Sequence, residues 1–297
     1  MTMHTIIHIG AGLGTKLSDY LATGAQHIVL VEPLPKLVQQ LRLKASQIDT
    51  EKATAEIHIL EAAITSELEQ KQLIEFNLTH ISSLRPETGL RQLYPDLKVN
   101  AYHSVSLITP NDLIQNYAPH EGQQALLIVD APGETALIVQ ALINSDQLKL
   151  FGQLSISVPI EPLYQNNSPA QQLLTQLEKY GYESCAEDYS DPNWPVLTLI
   201  YSPLKVRLQA KLQKKHRQLG EQQNKISQLE AENEQLKKLN AATNKRQEQL
   251  EEELNKAEKQ FQLFHDMLLS GDFLSNSPSD ISKQLFNFDQ SSKIYKG

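Results

Sequence analysis

One cysteine, Cys185, stands among 297 residues. A single thiol excludes an internal disulfide and any cysteine-built metal cage, and it fits a reducing compartment. Cys185 itself reads as a small side chain buried in the fold. Long hydrophobic runs are missing too: no stretch reaches the roughly 18 apolar residues that cross a bilayer. The opening Met1-Thr2-Met3-His4-Thr5 carries neither a basic segment nor a long apolar one, so no secretory signal is expected. No Gly-x-Ser-x-Gly elbow occurs, which removes the signature of a serine hydrolase. No set of His, Asp and Glu has metal-ligand spacing. The expectation is a cytoplasmic protein with no metal and no membrane insertion.

Positive charge is scarce in the first two thirds. Residues 1–202 hold 11 Lys+Arg against 22 Asp+Glu, a net −11, whereas residues 203–297 hold 16 against 13. Nucleic-acid binding needs clustered cations, so the acidic part carries no such footprint. The change of composition near residue 202 divides the chain into a globular domain, 1–202, a helical segment, 203–269, and a polar tail, 270–297. At 40% hydrophobic residues the chain has material for a core. Its mean hydropathy of −0.38 is polar, largely through the second part.

Apolar runs alternate with helical periodicity along the first part. Strands are expected at Thr5–Gly10, His27–Glu32, Ala55–Leu60, Lys71–Asn77, Val99–Leu107, Ala125–Asp130, Leu154–Val158, Tyr182–Glu187 and Val196–Tyr201. Helices are expected at Leu13–Ala22, Leu34–Ser46, Pro110–Tyr117, Thr135–Ile143 and Pro169–Tyr180. Thr109 is a natural N-cap, with Asp112 orienting the short helix. Apolar strands separated by helices imply a parallel sheet covered on both faces, a doubly wound α/β domain. Such sheets bind ligands beyond the carboxyl ends of their strands, where the strand order reverses.

Informative residues stand at those ends. The first strand runs into Gly10-Ala11-Gly12-Leu13-Gly14, a turn whose backbone approaches a ligand closely. The second strand ends at Glu32, where a carboxylate accepts two hydrogen bonds from a ribose diol. Together they suggest an adenosine-containing cofactor, although the glycines alone are also an ordinary strand-to-helix turn. A dinucleotide fingerprint requires a third glycine where Thr15 stands.

Several segments resemble the FkbM-like methyltransferase family over about residues 5–201. They are His8–Gly14, Val31-Glu32-Pro33, Glu61–Ile64, Ser82-Ser83-Leu84, Val105–Ile114 and Leu126–Glu134, in the family's order and spacing. The resemblance implies a class I methyltransferase (Rossmann-like) fold that transfers a methyl group from S-adenosyl-L-methionine to a hydroxyl of a sugar or natural product. It implies cofactor contacts at Gly10, Gly12, Gly14, Glu32, Ala62 and Asp130. The chain departs from the pattern at His8, where the family has Asp, at Ile128, where it has Lys, and at Pro132 and Thr135, where it has Glu. Asp130 is a candidate for the neighbourhood of the reacting methyl, and equally for a carboxylate that caps the next helix. His80 and His103 are candidate bases on the acceptor side, or plain surface and packing histidines. Two functions of different class stay open, an O-methyltransferase and a non-catalytic scaffold.

From Leu204 to Leu268 there is no proline, and the one glycine is Gly220. A heptad register puts Leu212, Leu219, Ile226, Asn233, Asn240, Gln247, Leu254, Phe261 and Leu268 at a. It puts Leu208, Lys215, Gln222, Leu229, Leu236, Thr243, Leu250, Ala257 and Phe264 at d. Apolar residues sustained over more than four heptads predict a coiled coil. Asn233 and Asn240 at a favour a parallel homodimer, because asparagine pairs across such a seam and fixes its register. Gly220, between Lys215 and Gln222, marks a weak stretch and a candidate hinge. The collar Lys205, Arg207, Lys211, Lys214, Lys215 and Arg217 reads as a solvated face. Beyond Gly271, Phe273, Phe286, Phe288 and Tyr295 make the tail a candidate docking segment for a protein partner, or a disordered end.

Overall fold

The alternating pattern folds as strand and helix in turn. A computed structural model describes residues 3–48, 55–67, 72–120, 122–165 and 169–270. The chain runs β1 (Thr5–Ile9), α1 (Leu17–Ala22), β2 (His27–Glu32), α2 (Pro35–Ser46), β3 (Glu56–Glu61) and β4 (Ala63–Ile64). It continues through β5 (Gln72–Phe76), α3 (Leu90–Leu93), β6 (Val99–Ser104), β7 (Leu107–Ile108), α4 (Pro110–Tyr117) and β8 (Ala125–Val129). Then come α5 (Thr135–Asn144), β9 (Gln153–Ser157), α6 (Ala170–Tyr180), β10 (Tyr182–Asp188), β11 (Val196–Tyr201) and α7 (Pro203–Leu269). Proline opens α2 and α4, and the Thr109 hydroxyl accepts from the Asp112 amide at 3.0 Å as the N-cap of α4. Gly181, at φ +116°, stops α6 in a left-handed turn.

Seven strands form one sheet in the order β10-β11-β9-β8-β1-β2-β3. The five from β3 to β9 are parallel. This is the doubly wound, Rossmann-like sheet that the sequence led us to expect, followed by a long helix. The order reverses between β1 and β8, which opens the crevice that positions the site.

The sheet departs from all-parallel at its end, because β11 runs antiparallel to both β10 and β9. The connection between β10 and β11 is too short for a crossover, and a short connection joins only antiparallel neighbours. Cys185 is a second departure. It lies exposed on β10, an edge strand with an uncovered face, instead of in the core. Its Sγ donates weakly to the Thr198 carbonyl at 3.3 Å.

Alternation along the strands sends side chains to two cores. Ile7, Ile9, Val29, Val31, Leu127 and Val129 pack with α4, α5 and α6 through Leu113, Val139 and Leu173. Ile6, Ile28, Leu30 and Ile128 pack with α1 and α2 through Leu17, Tyr20 and Leu41. A third cluster gathers Phe76, Ile81, Leu90, Leu97, Leu163, Tyr164 and Trp194, beside the β5–β6 hairpin. The expected strand Val99–Leu107 divides here into β6 and β7, which join different partners.

The chain separates into two compact units between Lys211 and Leu212. The helix α7 nevertheless starts at Pro203, so its first turns belong with the α/β unit. There Lys205 reaches Glu183 at 3.5 Å. The remainder of α7 passes through Gly220 without interruption and buries no residue. Its a and d side chains, among them Leu212, Leu219, Ile226, Leu229, Leu236, Leu250 and Leu254, are all exposed. The tail aromatics from Phe273 to Tyr295 lie outside the described residues.

Gly14 belongs to this packing. At φ +61°, a Cβ there would lie 2.2 Å from Leu41 Cδ1. Gly14→Ala is expected to cost about 2–4 kcal/mol, from overpacking and a left-handed backbone. Urea unfolding followed by the fluorescence of Trp194, the chain's one tryptophan, checks this. A loss below about 1 kcal/mol would show that the turn relaxes freely.

Candidate functional site

A cavity of about 530 Å³ opens at the carboxyl ends of β1, β2 and β8, a volume in the range of small-molecule sites. Its walls come from the turn 8–16, from Val31 to Leu37, from Ala62 to Ile64, from residues 77–84 and from Asp130 to Glu134. Of the residues singled out in the sequence, Gly10, Gly12, Glu32, Ala62, Asp130 and His80 line it. Gly14 does not; its space is taken by Leu41. His103 lies on β6 and bonds Glu75 across the hairpin at 2.6 Å, outside the lining.

The glycine turn is built for close approach. Gly10, at φ +82°, has no room for a side chain, since a Cβ would sit 1.9 Å from the Asp130 carbonyl. Gly12, at φ +55°, has open space where a Cβ would be. The first is imposed by packing, and the second leaves room for a ligand.

Glu32 is 4% exposed. Its Oε2 accepts from the Gly12 amide at 2.8 Å and its Oε1 from the Leu34 amide at 3.0 Å. One carboxylate thus ties the first turn to the start of α2. Burial raises its pKa, the two amides oppose that, and the charge of Asp130 adds to it. Each oxygen keeps a second lone pair, which suits a ribose diol.

Asp130 extends one residue past β8 into the cavity. The residue is exposed at the cavity, and the protein packed around its carboxyl group raises its pKa by desolvation. The Ser157 hydroxyl and the charges of Lys16 and His80 act the other way. His80 sits in the turn Thr79–Ile81, exposed and facing the same cavity. The floor of loop 131–134 is locked by the Ser83 hydroxyl, which donates to the Pro132 carbonyl at 2.6 Å.

Arg85, Glu67 and Lys16 were not evident as participants in the sequence. Arg85, 6% exposed, pairs with Glu134, 3% exposed, at 2.8 Å and with Glu67 at 3.3 Å. Glu134 thereby becomes a neutralised wall of the cavity. Lys16 also lines the cavity, and in an acidic domain a lone lysine after a glycine turn was the available signal. His8 is 7% exposed, and its Nδ1 pairs with the Tyr20 hydroxyl at 3.0 Å. Even spacing along β1 predicts that it faces α1, where Tyr20 stands. Burial, with a smaller effect from Lys16, pushes its pKa down to about 3. Among the described residues no group of three His, Cys, Asp or Glu is placed to hold a metal, and no helix is long and apolar enough to cross a membrane.

No protein-family model matches the chain, and no curated protein does. Solved structures that it matches include methyltransferases. A ribosomal protein L11 methylase from Lactobacillus delbrueckii subsp. bulgaricus is 10% identical, with 68% of this chain and 72% of that one covered and a TM-score of 0.36. The magnesium protoporphyrin IX methyltransferase from Synechocystis PCC 6803, solved with bound SAM, is 13% identical, with 68% and 71% covered and a TM-score of 0.34. Methyltransferase FkbM from Methylobacillus flagellatus KT is 13% identical, with 67% and 44% covered and a TM-score of 0.40. At identities and scores this low the likeness adds nothing to what the sheet order and the cavity establish.

The buried neutral histidine has a measurable signature. Between pH 6.5 and about 3 the unfolded chain binds a proton at His8 that the folded chain refuses. Stability therefore falls with acid in that window, by up to about 1.4 kcal/mol per pH unit. The raised carboxylates Glu32 and Asp130 act with the opposite sign, so a variant isolates the histidine. Urea unfolding at pH 7 and pH 5 is expected to show wild type losing about 2 kcal/mol relative to His8→Phe. An unchanged difference would contradict a neutral His8.

Proposed function

We propose that the chain is an S-adenosyl-L-methionine-dependent O-methyltransferase acting on a hydroxyl of a saccharide or other small metabolite in the cytoplasm. The observation that carries this reading is the convergence of Gly10, Gly12, Glu32 and Asp130 on one cavity at the reversal of strand order. The donor set fits the cofactor. Glu32 takes the ribose hydroxyls, Gly12 gives backbone room, and Leu34, Leu37, Ala62 and Leu84 supply apolar wall for an adenine ring. Bound there, the cofactor supplies an electrophilic methyl on a sulfonium.

The chain's own part is positioning and proton removal. Asp130, with its pKa raised by desolvation, is the proposed base. It would take the proton of an acceptor hydroxyl held in the cavity. His80, facing the same space, steadies the Asp130 charge when protonated or relays the proton. A scaffold without catalysis is the second reading, favoured by His8 and Ile128 where the resemblance has Asp and Lys. Ile128 is buried in the apolar core beside Leu17 and Tyr20, so no cation serves the cavity from that position.

Titration calorimetry with S-adenosyl-L-methionine and S-adenosylhomocysteine tests the cofactor. Micromolar binding is expected, weakened about 10- to 100-fold by Glu32→Ala, since hydrogen bonds to a charged group contribute about 1.5–3 kcal/mol. No heat with either ligand on the folded wild-type protein would leave the scaffold reading standing.

The helix α7 is proposed to pair in parallel with a second copy. Its exposed apolar seam, interrupted by Asn233 and Asn240, suits an identical helix in register. Light scattering on the full chain is expected to give twice the 33.5 kDa chain mass. Replacing Leu229 and Leu236 together by Glu is expected to return it to one. A wild-type mass of one chain refutes the pairing.

A further inference from the structure

Two stretches at the cavity, 80–85 and 130–134, run side by side and are tied at successive points. The Tyr164 hydroxyl donates to the Ile81 carbonyl at 2.7 Å. The Ser83 hydroxyl donates to the Pro132 carbonyl at 2.6 Å and accepts from the Arg85 amide at 3.0 Å. The Arg85 guanidinium pairs with the Glu134 carboxylate at 2.8 Å. Partners thus advance by two residues on both stretches, from Ser83 with Pro132 to Arg85 with Glu134. Gly133 stands between these two rungs, where a Cβ would lie 2.5 Å from Ser83 Oγ and 3.2 Å from the Tyr164 ring. No side chain fits between the stretches there. Continued the other way, the ladder ends at His80 on one stretch and Asp130 on the other, and both line the cavity. The charge of His80 acts on Asp130 at that end.

Arg85 closes the far end of the ladder and is buried. Besides Glu134 it reaches Glu67, three residues beyond β4, at 3.3 Å. Segments that supply the lining at Ile64, Leu84 and Pro132 therefore meet at one buried cation. Burying an ion pair is costly, and an apolar pair of similar volume often serves stability as well. What the guanidinium adds is direction, because its rigid planar fork fixes the carboxylates that it meets. We propose that Arg85 is a positioning residue of the site, which through Glu134 and Ser83 holds His80 and Asp130 at a fixed spacing across the cavity. Arg85 is not part of the lining and acts through these groups. This rests on the reading of Asp130 as the base with His80 beside it, and adds what keeps the two in register.

The test separates position from stability in the full-length protein. Arg85→Met combined with Glu134→Leu exchanges the ion pair for an apolar one, and the double variant is expected to unfold in urea at the wild-type midpoint or above it. The first readout is the ring carbon–proton NMR signal of His80, identified by its loss in His80→Gln. Without ligand, Asp130→Asn is expected to move that signal in the wild-type background. In the double-variant background the same replacement is expected to move it by no more than about half as much. The second readout is titration calorimetry with S-adenosylhomocysteine, whose affinity is expected to fall about tenfold, the ordering cost of one or two loosened side chains. An undiminished His80 response in a double variant that unfolds like wild type overturns the proposal. So does a wild-type His80 signal that ignores Asp130→Asn. Ser83→Ala deletes one oxygen from the middle rung and is expected to diminish the response in the same way. Should the double variant fail to fold, an undiminished response in Ser83→Ala overturns the proposal by itself. A wild type that binds no S-adenosylhomocysteine removes the cofactor reading alone, because the His80 response is read without ligand.

Discussion

Two loops leave adjacent parallel strands at the reversal of order, and nothing larger than a hydrogen atom fits between them. The Gly10 backbone passes the Asp130 carbonyl where a Cβ would be 1.9 Å away, and the Asp130 amide donates to the Ile9 carbonyl at 2.8 Å. This approach brings the ends of β1 and β8 into one wall. Without it the glycine turn and Asp130 would face separate spaces. Glu32 then anchors the turn from the other side through the Gly12 amide. The cavity is thus fixed by backbone geometry before any side chain is chosen for chemistry.

Within that frame the charges are arranged by burial. Glu32 is satisfied by two amides, Glu134 by Arg85, and His8 stays neutral because burial outweighs its affinity for a proton. Asp130 is left as the carboxylate exposed to the cavity. The acidic balance of the first 202 residues therefore says little about the site, where each anion has its own arrangement. The same burial that raises a carboxylate's pKa makes it a better proton acceptor near neutral pH.

Much of this was legible in the sequence. The strand HIVLVE ending in Glu32 and the strand ALLIV ending before Asp130 are apolar runs whose last polar residue must emerge at a strand end, and the structure puts both in the cavity. The boundaries of α4 and β11 also follow from Thr109-Pro110 and the run VLTLIY. Other features depend on contacts distant in sequence. Gly14 looks like a ligand glycine until Leu41, from α2, takes its space. His103 looks like a base until Glu75 takes its ring. Cys185 looks like a core residue until β10 is found at the edge, since period two does not say which face is covered. The pairing of Arg85 with Glu134 spans 49 residues and leaves no local pattern.

A helix that buries none of its own side chains takes its order from whatever covers it. The two units of this chain therefore answer to different variables. The α/β unit carries its core within one molecule, so dilution leaves its folding equilibrium unchanged. In the proposed pairing the seam of α7 is completed by mass action, and its stability grows with the logarithm of the concentration of the surface that covers it. Under that proposal the same polypeptide folds independently of its abundance at one end and in step with it at the other.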